Sequence, residues 1–200
     1  MIVRPCELVD RAQEPPALVA AEVVRDCPAT LLDTIEVDWG PLRIELREAF
    51  SSEGHFAEHS HWDWRRKRDS VASGRHRVVA IRFGKDVQGV MAVFGFGRTS
   101  KIDPSNDVIY IDCLESAPNN IRRIPNRPHF APIGLLLIFE AIRLSQDMGF
   151  AGRVGLHSLP QAESFYRDRI GCIDLGTDPR YHNLRYFEIT ERLAGVLLKE

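Results

Sequence analysis

The stretch GFAGRVGLHSLPQAESFY, residues 149–166, carries the clearest pattern in this 200-residue chain. Gly149 is typical of a helix C-terminus, because glycine readily adopts the left-handed conformation that ends many helices. Residues 153–157 predict a short strand, and Pro160 favours the start of a helix that we expect to reach about residue 170. The stretch therefore predicts helix, strand and helix in succession, as in an α/β protein.

The flanking sequence extends this order in both directions. Residues 133–148 have the apolar spacing of a long helix, and the β-branched and aromatic residues 108–114 predict a buried central strand. Between them, residues 119–131 are rich in proline and arginine, which predicts a loop. Beyond the quoted stretch we expect strands at residues 172–175 and 184–189, and a final helix at residues 191–198.

The first half of the chain contains one clear hairpin. Residues 78–83 and 87–96 are apolar runs on either side of the turn Gly84-Lys85-Asp86, which predicts two antiparallel strands.

The N-terminal segment is predicted to be mostly helical. Pro15 and Pro16 favour a helix that continues to residue 25, and residues 30–37 predict a strand. We expect two further helices at residues 42–50 and 56–73.

Composition excludes several classes of protein. The formal net charge of −2 gives no overall attraction to nucleic acid or to an anionic membrane. The longest apolar stretch, residues 131–138, is far shorter than the roughly 20 residues of a membrane-spanning helix. The N-terminus lacks the apolar core of a secretory signal, and the cysteines form no CxxC pair, so we expect free thiols, a cytoplasmic location and no membrane partner.

The segment 108–189 resembles the second half of a GNAT-type N-acetyltransferase. The order of its predicted elements is similar to that of the family, and Ala162-x-x-Phe165-Tyr166 matches a family motif residue by residue. The resemblance implies an α/β fold with a mixed, mostly antiparallel central sheet, a splayed parallel strand pair and flanking helices. It also implies a single domain, with residues 1–75 as an acceptor-side helical region and residues 76–200 as the cofactor-binding core.

A family of this kind binds acetyl-CoA, whose pantetheine arm lies between the splayed strands, here residues 108–115 and 153–157. The pyrophosphate then faces the N-terminus of the next helix, where free amides favour anions. The family's loop reads Q/RxxGxG/A, but here His129 and Pro132 replace the Gln or Arg and the first Gly. Pro132 lacks an amide donor, which arginines near His129, Arg123 among them, could replace. The resemblance implies these cofactor-binding residues: Leu114, Ser116, Ala117, Arg122, Arg127, His129, Ile133, Gly134 and Leu135.

Acyl transfer to an amine requires a base, a polarised carbonyl and a proton for the departing thiolate. Tyr166 resembles the family's general acid, and the alternative is that it only packs one helix face. Glu115 is the predicted base, acting directly or through water, with Asp112 as the second choice. His157 is a further candidate base because histidine titrates near neutral pH. Any of these side chains could instead be purely structural.

Two other clusters have more than one interpretation. His55, His59, His61 and Asp63 fit no strong metal motif, so we predict no metal and favour an acceptor-side loop with Trp62 and Trp64. The run Arg65-Arg66-Lys67-Arg68 could hold the ribose phosphate of CoA, bind RNA or form a solvated helix face.

The sequence thus predicts an N-acetyltransferase that moves an acetyl group from acetyl-CoA to a primary amine of a small molecule or peptide. Two alternatives stay open: a binding or sensing module that has lost catalysis, and a toxin-like enzyme acting on aminoacyl-tRNA. A homodimer through residues 193–198 is a further possibility.

Overall fold

A computed structural model describes residues 1–52, 62–121 and 127–199. The chain divides into two compact units. Unit 1 comprises Met1–Met91 and Leu114–Leu137, and unit 2 comprises Ala92–Cys113 and Ile138–Glu200.

Ten strands are described. They are β1 (Ile2–Asp10), β2 (Ala17–Arg25), β3 (His76–Phe83), β4 (Asp86–Phe94), β5 (Arg98–Thr99), β6 (Asp107–Ser116), β7 (Phe130–Ala131), β8 (Val154–Ser158), β9 (Ile173–Asp178) and β10 (Leu184–Ile189). The α-helices are α1 (Thr30–Ser52), α2 (Arg68–Ala72), α3 (Pro118–Ile121), α4 (Ile133–Asp147) and α5 (Glu191–Leu197). Short 3₁₀ helices cover Trp64–Lys67, Pro160–Ala162 and Pro179–Tyr181, and a π-helical turn covers Phe165–Ile170.

Backbone hydrogen bonds join these strands into a mixed sheet in the order β7-β1-β2-β3-β4-β6-β8-β10-β9, with β5 paired to β6. Strands β6 and β8 are parallel, and their register covers Ile109 with Val154, Tyr110 with Gly155 and Ile111 with Leu156. Strand β6 continues to Ser116, beyond the last of these pairs. All residues of β6 and β8 are described, and the two strands form no further pair with each other. The predicted fold class, a mixed sheet with a splayed parallel pair and flanking helices, is confirmed.

Unit 1 corrects the prediction for the N-terminal segment. Residues 17–25 form strand β2 rather than a helix, because β2 pairs along its length with β1 and its last residues pair with β3. The side chains of Ala21, Val23 and Val24 are buried as a result. Residues 1–75 are therefore not a helical region: they contribute two strands as well as helices.

The predicted strand at residues 30–37 is also wrong, because these residues begin the 23-residue helix α1. The buried residues Leu32, Ile35, Trp39, Leu42 and Leu46 recur at helical spacing and form one apolar face. The predicted helix at residues 42–50 lies within α1, which continues through Pro41. Part of the predicted helix at residues 56–73 lies outside the described residues; the rest is the 3₁₀ helix and α2.

Unit 2 agrees more closely with the sequence. β10 pairs antiparallel with both β8 and β9, and the helix α5 follows it, as predicted. The predicted helix at residues 160–170 is present as a 3₁₀ turn and a π-helical turn. The second turn ends at Gly171, whose φ of 82° lies in the left-handed region that favours glycine.

The N-terminal turn of α4 lies directly on β4. A Cβ atom at Gly89 of β4 would overlap Cγ2 of Ile133 and lie 3.3 Å from Cδ1 of Leu137. The absence of a side chain at Gly89 therefore allows the close approach of α4.

We predict that Gly89→Ala lowers the free energy of unfolding by about 1–3 kcal/mol, because Ile133 is buried and branched at Cβ and cannot simply rotate away. Urea denaturation measures the change. The matched control is Gly40→Ala within α1, where an added methyl group meets nothing within 4 Å. The control should raise stability by up to about 1 kcal/mol. Equal effects of the two variants would contradict this packing.

Candidate active site

The start of α4 presents backbone donors in unit 1. The first intrahelical bond runs from the Leu136 amide to the Pro132 carbonyl. By helix geometry, the amides of Ile133, Gly134 and Leu135 then lack partners within the helix. Gly134 and Leu135 are half-buried and Ile133 is buried. Three adjacent amides at the positive end of a 15-residue helix form an arrangement that favours anions.

His129 lies in the chain shortly before α4, and Asp10 of β1 is the register partner of Phe130 in β7. The His129 ring Nδ1 is 2.8 Å from the Asn119 carbonyl oxygen, so Nδ1 carries the proton and Nε2 is left for another partner. The His129 amide donates to Oδ1 of Asp10. Burial opposes the charge on Asp10, but hydrogen bonds from Gln13, Ala12 and His129 hold its pKa below the ordinary value. Asp10 is thus an ionised carboxylate that orders the loop before α4.

The remaining predicted cofactor residues of unit 1 have different surroundings. Leu114 and Ser116 are half-buried at the end of β6, whereas Ala117 is buried and its amide donates to the Gln88 carbonyl on β4. Arg127 is exposed. Arg122, and with it Arg123, lies outside the described residues.

Glu115 lies in a buried charged network of unit 1. Arg43 of α1 donates to both of its oxygens, from Nε at 3.0 Å and from Nη2 at 2.9 Å. The indole Nε1 of Trp64 donates to Oε2 at 2.6 Å. The other edge of Arg43 pairs with Glu36 at 2.8 Å, and Glu36 also accepts the Trp64 amide. The side chains of Arg43, Glu115 and Glu36 are 7%, 2% and 8% exposed.

This network has a clear electrostatic consequence. Burial opposes the charge on Arg43, but hydrogen bonds with Glu115 and Glu36 outweigh it and raise the pKa of Arg43 above its ordinary value. Glu115 accepts three hydrogen bonds, two from Arg43 and one from Trp64. The geometry therefore favours Glu115 as a residue that positions Arg43 and Trp64.

The other predicted acceptor-side residues are only partly described. His55, His59 and His61 lie outside the described residues. Asp63 caps the following 3₁₀ helix and pairs with Arg65 at 2.9 Å, and Arg68 pairs with Asp33 at 3.0 Å. Trp64 is buried and contacts Trp62 edge-on.

Tyr166 belongs to unit 2 and lies in the π-helical turn. Its ring is 7% exposed and packs against Phe187 of β10, with centroids 5.9 Å apart, and against Phe165. Burial raises the pKa of Tyr166 well above that of an ordinary phenol. Its hydroxyl therefore stays protonated at neutral pH and keeps a proton that it can donate.

Unit 2 also contains a pocket of about 340 Å³, which we call the tyrosine pocket. It lies on the face of the sheet that carries Tyr110, His157 and Tyr186, residues on three neighbouring strands. Its lining comprises Arg98, Thr99, Lys101, Tyr110, His157, Asp178, Arg180, Tyr181 and Tyr186.

His157 lies at the centre of this pocket. Its Nδ1 is 2.7 Å from the Tyr110 hydroxyl, its Nε2 is 3.4 Å from Oδ2 of Asp178, and its ring stacks on Tyr181 at 4.0 Å. Burial lowers the pKa of His157, the hydrogen bond to Asp178 opposes this, and the charge of Lys101 lowers it further. A hydrogen bond from Lys101 holds the pKa of Asp178 far below its usual range. His157 is therefore a neutral imidazole flanked by a phenol and a carboxylate.

Local sequence patterns do not indicate most of these partners. Glu115 is 72 residues from Arg43, and Asp178 is 77 residues from Lys101. The one available signal is strand order, because pairing of β6, β8 and β10 places Tyr110, His157 and Tyr186 on one face.

The described part of the chain contains no group of three or more His, Cys, Asp or Glu side chains that could hold a metal ion. Its four cysteines, Cys6, Cys27, Cys113 and Cys172, form no disulfide bond with one another. No helix among the described residues is long and apolar enough to cross a membrane.

The architecture is that of the GNAT-type N-acetyltransferases, which confirms the resemblance at the level of the fold. A PaiA N-acetyltransferase from Thermoplasma acidophilum, solved with coenzyme A, matches with a TM-score of 0.55 and 16% identity, over 85% of this chain and 98% of that one. FeeM, an N-acyl amino acid synthase from uncultured soil microbes, matches with a TM-score of 0.52 and 8% identity, over 88% and 93%. A bacterial toxin matches with a TM-score of 0.51 and 19% identity, over 68% and 80%. Neither a protein-family model nor a curated protein matches the sequence.

We predict that Glu115→Gln lowers the free energy of unfolding by an amount on the order of 3 kcal/mol, because it leaves the buried Arg43 with one carboxylate instead of two. Chemical denaturation measures the loss. The control Arg65→Gln breaks an ion pair whose arginine is 59% exposed, and it should leave stability almost unchanged. A similar small change for Glu115→Gln would show that the buried pair is not intact.

We predict that the imidazole of His157 titrates below about 6.5. Since burial lowers its pKa in the folded state, the unfolded chain binds more protons over the interval below 6.5. The contribution of His157 to stability is therefore present above that pH and is lost as pH falls through the folded pKa. NMR of the ring nitrogens measures the midpoint. Asp178→Asn should lower the midpoint further and Lys101→Met should raise it; opposite shifts would contradict the assignment of these two causes.

Proposed function

We propose that the protein is an acyltransferase that moves an acetyl group from acetyl-CoA to a primary amine. The observation that carries the proposal is the parallel pairing of β6 and β8, which covers three residue pairs and stops while both strands continue. Strands that part in this way leave an edge to which an extended arm can add by backbone hydrogen bonds.

The donor would bind through backbone groups more than through side chains. The amides of Ile133, Gly134 and Leu135 would receive the pyrophosphate, with the cation of Arg127 and the ring of His129 as further contacts. These three amides come after Pro132 in the chain. The amide that Pro132 lacks is therefore not one of the three donors that the start of α4 offers. Backbone groups of Leu114 and Ser116 would hold the pantetheine arm, and Ala117 would contribute packing.

The proposed reaction is a direct attack. The amine nitrogen forms a bond to the thioester carbon, the carbon–sulfur bond breaks, and the thiolate leaves with a proton from Tyr166. The contiguous motif Ala162-x-x-Phe165-Tyr166 supports this role, and the phenol is protonated at neutral pH. We assign the base to the His157 cluster rather than to Glu115, whose carboxylate is already bound by Arg43 and Trp64.

The two alternative functions remain hypotheses. A binding or sensing module would keep the fold without turnover. An enzyme acting on aminoacyl-tRNA would use the cationic run at residues 65–68, but Arg65 and Arg68 form ion pairs with Asp63 and Asp33. No contact of the described residues favours either alternative over acyl transfer to a free amine.

We predict that Tyr166→Phe lowers kcat for thiol release from acetyl-CoA by about 10²- to 10⁴-fold, because the variant loses the proton donor. The Kd for acetyl-CoA should change little, since phenylalanine preserves the packing against Phe187. Thiol release with a panel of amines and calorimetry with acetyl-CoA measure the two quantities.

The control for this experiment is Phe165→Leu, which alters the neighbouring ring without touching the hydroxyl. Full turnover by Tyr166→Phe would rule out the proton donor. An equal loss in both variants would assign the effect to packing.

A further inference from the structure

The tyrosine pocket carries an excess of positive charge that the acyl-transfer proposal does not use. Its lining has three cations, Arg98, Lys101 and Arg180, and one carboxylate, Asp178. Lys101 donates to Asp178 at 2.6 Å, and Arg180 lies 3.6 Å from the other oxygen of the same carboxylate. Lys101 and Arg180 therefore both contact Asp178, and Arg98 does not pair with this carboxylate.

A second carboxylate, Glu188, lies behind the lining and is already bound. It accepts hydrogen bonds from the Ser100 hydroxyl, the Lys101 amide and the Tyr186 hydroxyl. With Glu188 included, the three cations of the lining face two carboxylates, so one positive charge remains in excess.

Arg98 is held in place by rings. Its guanidinium carbon lies 4.7 Å from the ring centroid of Phe94, 4.6 Å from that of Tyr110 and 6.0 Å from that of Tyr181. Among the described residues, no carboxylate pairs with Arg98. Stacking fixes the plane of a guanidinium and leaves its N–H edge available, which is the geometry that binds a carboxylate with two parallel hydrogen bonds.

The aromatic rings of this pocket do not form a cage for a cation. Lys101 occupies the face of Tyr186 at 4.1 Å, and Arg98 occupies that of Tyr110. An ammonium group entering the pocket would meet two like charges on the faces that would otherwise attract it. A ligand with an anionic group and an apolar body fits the lining better.

The neutral His157 lies within the same pocket. The Tyr110 hydroxyl donates to its Nδ1, so the phenol oxygen can accept a hydrogen bond from a ligand. Asp178 faces Nε2 and would stabilise the imidazolium that forms on protonation. The arrangement of Asp178, His157 and Tyr110 is therefore a proton relay that opens onto the pocket.

We propose that the tyrosine pocket binds an amine that also carries a carboxylate, with the carboxylate on Arg98 and the amine at the Tyr110 hydroxyl. The role of this ligand as acyl acceptor rests on the function proposed above. As the carbon–nitrogen bond forms, the amine gives one proton to the Tyr110 oxygen and Tyr110 passes its own proton to Nδ1 of His157. Arg98 is a binding residue in this step, and His157 holds the proton until it is released to solvent.

Three probes of matched shape test the ligand class by NMR titration of the whole protein, with the His157 ring and the Arg98 guanidinium as reporters. They are phenylalanine, 3-phenylpropionate, which lacks the amine, and phenethylamine, which lacks the carboxylate. Phenylalanine and 3-phenylpropionate should give saturable shifts at both reporters, and phenethylamine should give none. Stronger binding of phenethylamine, or a response to inorganic phosphate and to neither carboxylate, would overturn the proposal.

Variants of single arginines distinguish binding in the tyrosine pocket from a general effect of the protein's charge on affinity. Arg98→Gln should weaken the binding of 3-phenylpropionate by about tenfold or more, since it removes a charge-assisted pair. Arg180→Gln, whose side chain is 83% exposed and tolerates change, should weaken it severalfold. Arg192→Gln on α5, an exposed arginine outside the pocket lining, should leave affinity unchanged. Unchanged affinity in both pocket variants would contradict the proposal.

Acetyl-CoA is titrated into the same samples, so that the two proposals fail separately. Binding of acetyl-CoA without either carboxylate leaves the proposed function intact and overturns the inference about the pocket. Binding of the carboxylates without acetyl-CoA supports the anion site and overturns the acceptor role.

Discussion

The short parallel pairing between β6 and β8 is the structural feature on which the proposed donor site depends. Parallel strands normally pair along their shared length, because each unpaired backbone group costs free energy when it is removed from water. Here the ladder covers Ile109 to Ile111 on β6 and stops, although β6 runs to Ser116. The half-buried residues Asp112, Cys113 and Leu114 follow directly, in contrast to the buried run before them. Such an edge is suited to an extended ligand.

Each unit contains a network of charged side chains, and the two networks differ in what they can do. In unit 1, Arg43 is enclosed by two carboxylates and an indole, and both edges of its guanidinium have partners. Removing one charge there is costly, so the network fixes α1 and Trp64 to the end of β6. In unit 2, Arg98 is stacked but has no carboxylate among the described residues, and His157 is neutral. The first network is suited to structure and the second to binding and proton transfer.

Sequence patterns predict the elements of the second half of the chain well because local signals there agree with the tertiary structure. In residues 108–114, 133–148 and 184–189, the spacing of the apolar residues is that of the strand or helix that each segment forms. The same kind of pattern is wrong for β2 and the start of α1. The alanine-rich residues 17–25 favour a helix locally, but pairing with β1 and β3 overrides that preference. Thr30, Thr34 and Ile35 favour a strand locally, yet the long apolar face of α1 decides the structure.

The candidate site is predictable only in part, and for a related reason. Tyr166 is recognisable because its motif is contiguous in sequence. Arg43 and Glu115 are 72 residues apart, and Lys101 and Asp178 are 77 residues apart, so no local pattern reveals either pair. The position of Glu115 on β6 therefore favours it as a base when only the sequence is considered. The sequence does not reveal that Arg43 pairs with it. Side chains that act together across strands become visible only when the strand order is known.

The most direct measurement is a titration of ¹⁵N-labelled protein with CoA and acetyl-CoA, followed through the backbone amides. We expect saturable binding in the micromolar range, with the largest shifts at Ile133, Gly134 and Leu135 and at Leu114 and Ser116. An absence of shifts at millimolar ligand, or saturable shifts confined to other residues, would contradict the claim that the end of β6 and the start of α4 form a site for the acyl donor.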